Sequence, residues 1–133
     1  TETAAVRDPA GTRARLDAMK ALGLAIAIDD FGAGHTSFRH LRSFPIDLLK
    51  IDGAFVQNLA RSTDDRFFVR TLIDLAHHLG ISTVAEWVET EETAALLTEW
   101  GIDYLQGELC GIAAISAPAA QGAAPLEARA AGA

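Results

Sequence analysis

Leu24-Ala25-Ile26-Ala27-Ile28-Asp29-Asp30-Phe31-Gly32-Ala33-Gly34 decides how this chain is read. Five apolar residues run without a break, the pattern of a strand buried on both faces. The run stops at two adjacent acids and then at a glycine-rich loop. Upstream, Leu16, Met19 and Leu22 stand at helical spacing within 12–22, and Gly23 is the stop signal. Downstream the alternation repeats. A short helix is expected over 36–42, closed by Ser43-Phe44-Pro45, and a strand over 48–51. The longest helix is expected over 64–79, with Phe67, Phe68, Leu72, Leu75, Ala76 and Leu79 as its apolar stripe and Gly80 as its end. A third strand is expected over 81–85. Thr90 then caps a helix over 91–100, Gly101 ends it, and a fourth strand is expected over 102–105.

Four βα units in succession imply an α/β fold with a parallel sheet. The sheet is either open and doubly wound or part of an eight-stranded (βα)8 TIM-type barrel. A whole barrel takes about 250 residues, so these would be roughly its last four βα units. The chain has 133 residues and a net charge of -7, from 11 Lys+Arg against 18 Asp+Glu. It is 50% hydrophobic, enough for one modest core and too short for two ordinary domains. Of residues 113–133, 11 are alanine, and the segment lacks an apolar period. The expected division is therefore an ordered 1–112 and a disordered Ala/Pro/Gly tail over 113–133.

Composition also excludes function classes. The acidic balance argues against DNA binding, which needs clustered Lys and Arg. No apolar stretch approaches ~18 residues, so no membrane span is expected. Cys110 is the single cysteine, which excludes an intrachain disulfide and a cysteine zinc site and fits a cytoplasmic setting. Cys110 reads as packing, His35 and His40 as surface residues. His77 and His78 read as cations at a helix C-terminus. The chain begins Thr1-Glu2-Thr3 without Met, and is expected to be a fragment or a processed product.

Function is suggested by the strand ends. Each expected strand finishes, on its C-terminal side, in a residue able to do chemistry: Asp29 and Asp30, Lys50, Glu86, Gln106. In parallel α/β folds that edge binds ligands. Adjacent carboxylates repel, and a hard divalent ion such as Mg²⁺ relieves them. Two such ions can clamp a phosphodiester. A strand-end Lys50 can stabilise phosphoryl oxygens or hold an attacking water, or can simply form an ion pair with Asp52 or another acid. Glu86 can ligate metal or act as base, and Glu89 can brace it or serve as a helix N-terminal acid.

Taken together these words resemble the EAL domain family of cyclic di-GMP phosphodiesterases. They are Asp29-Asp30-Phe31-Gly32-Ala33-Gly34-His35-Thr36-Ser37, Leu49-Lys50-Ile51-Asp52, Phe55-Val56, Val84-Ala85-Glu86-Trp87-Val88-Glu89-Thr90 and Tyr104-Leu105-Gln106-Gly107. The resemblance implies part of a TIM-type barrel that hydrolyses cyclic di-GMP to pGpG with Mg²⁺ or Mn²⁺. By it, Asp29, Asp30 and Glu86 are metal-site acids, and Lys50 and Glu86 are catalytic. Phe31, Gly32, Gly34 and Ser37 belong to the loop that couples metal, substrate and dimerisation. Glu2 anchors that loop, and Glu89 and Gln106 complete the site. Implied partners are cyclic di-GMP, a second copy of the chain, or an upstream sensor or GGDEF region.

Four departures bear on activity. The Glu-Ala-Leu signature and two upstream metal-site residues, an Asn and a Glu, fall outside this sequence. Trp87 stands where the family usually has Gly, and Gly53-Ala54 where it usually has Arg-Ser. Cys110-Gly111-Ile112-Ala113 replaces the usual aromatic-Gly-basic-Pro. Two readings follow. One is a phosphodiesterase whose second half this is, inactive or very weak alone. The other is a degenerate domain acting as a cyclic di-GMP receptor or protein-interaction module. A response-regulator receiver is excluded, because Lys50 comes one strand after the acids rather than near the end.

Overall fold

The computed structural model describes residues 8–33 and 38–114. Helix α1 (Pro9–Ala21) leads into β1 (Ala27–Phe31), then α2 (Phe38–Ser43), β2 (Leu48–Ile51) and the short α3 (Gly53–Gln57). Helix α4 (Thr63–His78), β3 (Ser82–Ala85), α5 (Glu91–Glu99) and β4 (Tyr104–Gly107) follow, and one 3-10 turn (Glu108–Cys110) leads into β5 (Gly111–Ala114). The strands lie in one sheet in chain order; β1 to β4 are parallel and β5 is antiparallel to β4.

The helix ends follow local chemistry. The Asp8 carboxylate accepts from the Gly11 amide and Pro9 starts α1. Ser62 caps α4 by accepting from the Asp65 amide, and Thr90 caps α5 by accepting from Thr93. Asp52 does the same for α3 through the Ala54 amide. Gly23, Gly80 and Gly101 end the three longer helices with positive φ.

The core lies between β2, β3 and β4 and helices α3, α4 and α5. Its fully buried side chains include Leu49, Ile51, Val56, Leu59, Ile73, Leu97 and Ile102. On α4 the buried residues are Val69, Leu72, Ile73 and Ala76, whereas Phe67 is 76% exposed. The expected stripe is thus rotated: Val69 and Ile73 take the inner positions, and Phe67 is displaced to the surface. Phe68 stays against the core, its ring 4.7 Å from that of Phe55.

The first strand differs most from expectation. It runs Ala27–Phe31 rather than 24–28, so the two acids lie within it. It is also not buried on both faces: Ala27, Asp29 and Asp30 are exposed and only Phe31 is buried. The reason is its position, because β1 is an edge strand paired only with β2 among the described residues. Helix α1 buries none of its residues, and Met19, Leu22 and Leu24 are exposed. The fourth strand is likewise shifted towards its C-terminus, to Tyr104–Gly107. Strand β5 reaches Ala114, so the boundary expected at 112/113 falls inside a strand; residues 115–133 lie outside the described residues.

Asp47 ties α1 to the sheet. Its carboxylate accepts from the Lys20 ammonium at 2.6 Å and the Ile26 amide at 2.8 Å. Burial pushes its pKa up, but the Lys20 and Ile26 hydrogen bonds and the Lys20 charge outweigh this and hold it below the usual carboxylate range. A depressed folded-state pKa adds stability above the unfolded value, and that stability is lost as pH falls through the folded value. Urea midpoints measured down from neutral pH should therefore fall through the acidic range, and Asp47→Asn should flatten that fall. An unchanged acid limb in Asp47→Asn would show that Asp47 contributes nothing to it.

Candidate functional site: a carboxylate cluster at the C-terminal edge of the sheet

Asp29 and Asp30 are neighbours in a strand, so regular pleating would send them to opposite faces. The register prevents that. Ile28 pairs with Leu49 and Phe31 with Ile51, so β1 carries one residue more than β2 over this stretch. The extra residue is a bulge, and Asp30 has φ 50. Asp tolerates this left-handed conformation better than most side chains, though at a cost of roughly 1–2 kcal/mol. The bulge leaves both carboxylates on the side of Glu86. One oxygen each from Asp29, Asp30 and Glu86 lies within 4.8 Å of the others.

Glu86 follows β3 directly, and its amide donates to the Ile51 carbonyl. Lys50, on β2 between the two acidic strands, donates to Asp29 at 2.9 Å and to Glu86 at 2.6 Å. The Glu86 side chain is 12% exposed and that of Lys50 23%, while Asp29 is 65% exposed. Burial pulls the Lys50 ammonium down, but its bonds to Glu86 and Asp29, and their charges, outweigh that and hold it above the ordinary lysine range. Lys50 is a cation at neutral pH and not a general base. Its partners are Asp29 and Glu86; Asp52 instead caps α3.

The other expected residues divide. Phe31 is a buried core residue rather than part of a loop. Gly32 has φ 108, and a Cβ there would stand 2.5 Å from the Phe55 ring. Glu89 does not brace Glu86: its carboxylate accepts from the Gln57 side chain on α3 at 2.8 Å. The Gln106 side chain is exposed, and the Gln106 backbone carbonyl accepts from the Val88 amide at 2.9 Å. Glu2, Gly34 and Ser37 lie outside the described residues. His77 does more than close a helix, because its Nε2 is 3.0 Å from Asp103, which also accepts from the amide and hydroxyl of Thr83. Cys110 packs against the core as expected.

Three residues to which the sequence assigned no role shape this edge. Gln57 holds Glu89, Gly53 lies under the Trp87 ring, and Gly107 passes against the Val88 backbone. The first carried no signal. Gly53 and Trp87 were visible as two departures from one family pattern, and Gly107 as a match to it. A cavity of ≈ 640 Å³ lined by Pro9, Arg13, Asp17, Arg42 and Phe44, among others, includes none of Asp29, Asp30 and Glu86. The carboxylates stand at the open edge.

Three convergent carboxylates with an ammonium among them stand at the C-terminal edge of the parallel strands of an α/β domain, the edge at which folds of this class bind ligands. The EAL domain family model matches residues 1–113, and the chain belongs to that family. It is 41% identical over 111 residues to the cyclic di-GMP phosphodiesterase PdeB of Shewanella oneidensis, covering 84% of this chain and 13% of that protein. Among solved structures, the PaMucR phosphodiesterase in complex with c-di-GMP matches with a TM-score of 0.74 and 40% identity, over 80% of this chain and 43% of that one. The manganese/cy-diGMP complex of Klebsiella pneumoniae BlrP1 matches with a TM-score of 0.72 and 34% identity, over 79% and 27%. The chain thus spans less than half the length of each of these relatives. Its four parallel strands are part of a TIM-type barrel. No described helix is long and apolar enough to cross a membrane.

Proposed function

We propose that this chain supplies part of the metal and cyclic di-GMP site of a phosphodiesterase that opens cyclic di-GMP to pGpG. The observation that carries the reading is the convergence of Asp29, Asp30 and Glu86 within 4.8 Å around Lys50. The donor set is all carboxylate oxygen, which suits Mg²⁺ or Mn²⁺. An ion bound there supplies Lewis-acid stabilisation of phosphoryl oxygen. Asp29, Asp30 and Glu86 would hold it. Lys50, fixed between two of them, orients a phosphoryl oxygen or a water by donating its remaining proton. Glu86, the least exposed of the three acids, is the candidate proton acceptor. Three acids leave a two-metal shell incomplete, so turnover by this chain alone is expected to be weak. The relatives' greater length supports a role within a larger protein, with a second copy or a GGDEF or sensor region as partner.

Titration calorimetry with Mn²⁺ tests the site. Binding should weaken at least about tenfold in Asp29→Asn, the loss of one charge-assisted ligand. Equal binding in both chains, or none in either, would overturn the metal site. Incubation with cyclic di-GMP and Mn²⁺, with pGpG followed by chromatography, tests turnover. A second reading, a receptor that binds without turnover, is favoured by the Lys50 ammonium already neutralising two of the acids. Binding of cyclic di-GMP with no pGpG formed would select it.

A further inference from the structure

Trp87 is a bulky aromatic residue with φ 55, a conformation that such side chains rarely adopt. Its backbone is held from both sides. The Glu86 amide donates to Ile51, and Val88, fully buried, donates to Gln106 and accepts from the Leu109 amide. The indole lies on Gly53. A Cβ at Gly53 would stand 2.2 Å from Trp87 Cδ2 and 2.3 Å from Cγ, so only glycine leaves room for the ring. Trp87 nevertheless remains 54% exposed. Burial alone is a poor reason to keep a large side chain in a strained conformation with half its surface in water. Strain of this kind is held where a site needs it. One peptide bond separates Trp87 from Glu86, and one from Gly53 to Asp52 leads back to the strand that carries Lys50.

From this geometry we infer that Trp87 is a stacking platform for a guanine base of the nucleotide whose phosphate is held at the Asp29–Asp30–Glu86 cluster. The inference rests on the function proposed above. An indole face offers a base a large, rigid π-surface. Gly53 covers part of the ring, and the ring belongs to the residue that follows Glu86. A base carried by the same ligand is the planar group that chemistry brings there. Trp87 is a positioning and specificity residue, touching the base and not the reacting atoms. Trp87 and Gly53 act as a pair, so a side chain at 53 should displace the indole and remove the platform.

The chain has two tryptophans, so Trp100→Phe leaves Trp87 as the only indole fluorophore. In that background, cyclic di-GMP with Mn²⁺ should quench the fluorescence, saturating where calorimetry reports binding. Trp87→Gly should weaken cyclic di-GMP binding about tenfold or more, Trp87→Phe much less, and both should leave Mn²⁺ affinity unchanged. Gly53→Ala should reproduce the loss by displacing the indole, with Trp87 itself unchanged. Trp87→Gly relieves the positive φ and is expected to fold. Calorimetric binding without quenching, or equal affinity in Trp87→Gly, would overturn the platform and leave the proposed function standing. No calorimetric binding of cyclic di-GMP to the unmodified chain would overturn both.

Discussion

Replacing Lys50 with methionine is expected to lower the melting temperature by roughly 5–10 °C, and added Mn²⁺ to recover much of that loss. The two ion pairs of Lys50 carry unequal weight. Asp29 is 65% exposed, so its pairing with Lys50 contributes little. Glu86 is 12% exposed and loses its cation in this variant, a penalty of about 2 kcal/mol for a charge left mostly buried. At this chain length, 1 kcal/mol corresponds to about 3–5 °C. With Lys50 gone, three carboxylate oxygens within 4.8 Å have no ammonium among them, and a divalent ion is the natural substitute. Differential scanning calorimetry with and without Mn²⁺ reads both effects. Full destabilisation that Mn²⁺ does not relieve would argue that the cluster is a structural ion pair alone. Because the Lys50 pKa is raised, its stabilisation is present below the unfolded lysine value and is lost as pH rises through the folded one, so the Lys50→Met deficit should shrink in strong base.

Gly107→Ala is expected to cost more than about 3 kcal/mol and to abolish cooperative unfolding at ordinary temperatures. A Cβ there would stand 2.3 Å from the Val88 nitrogen and 2.4 Å from its oxygen. Both are backbone atoms, already bonded to Gln106 and Leu109, so no rotamer change relieves the contact. Moving Val88 also moves Glu86 and Trp87, so the carboxylate cluster should lose Mn²⁺ affinity together with the fold. Gly80→Ala is the control. Gly80 also has positive φ, 72, but nothing lies within 4 Å of its Cβ position. It should cost only about 1–2 kcal/mol, the backbone penalty without the clash. Urea denaturation of the two variants separates them. Similar losses in both would show that the Gly107–Val88 approach is looser than described.

The order of strands and helices was legible because it rests on local signals. Periodicity, caps and stop glycines act within a few residues, so α4, α5, β2 and β3 fall within a residue or two of expectation. The positions of Asp29, Asp30, Lys50 and Glu86 at one sheet edge were legible for the same reason, since strand ends in a parallel sheet share an edge. Other features depend on atoms distant in sequence. The apolar run 24–28 reads as a central strand, but burial is a property of neighbours, and β1 has one. Phe67 and Val69 both fit a helical stripe, and only the sheet beneath α4 chose between them. That Asp29 and Asp30 point the same way needed the β1 bulge, which is visible only against the register of β2. That Glu89 binds Gln57, that His77 meets Asp103, and that Trp87 rests on Gly53 are likewise facts of tertiary packing. The sequence by itself determined which chemical groups reach the edge of the sheet. The tertiary structure decided which of them meet, because distances between side chains on different strands are set by register and packing, not by spacing along the chain.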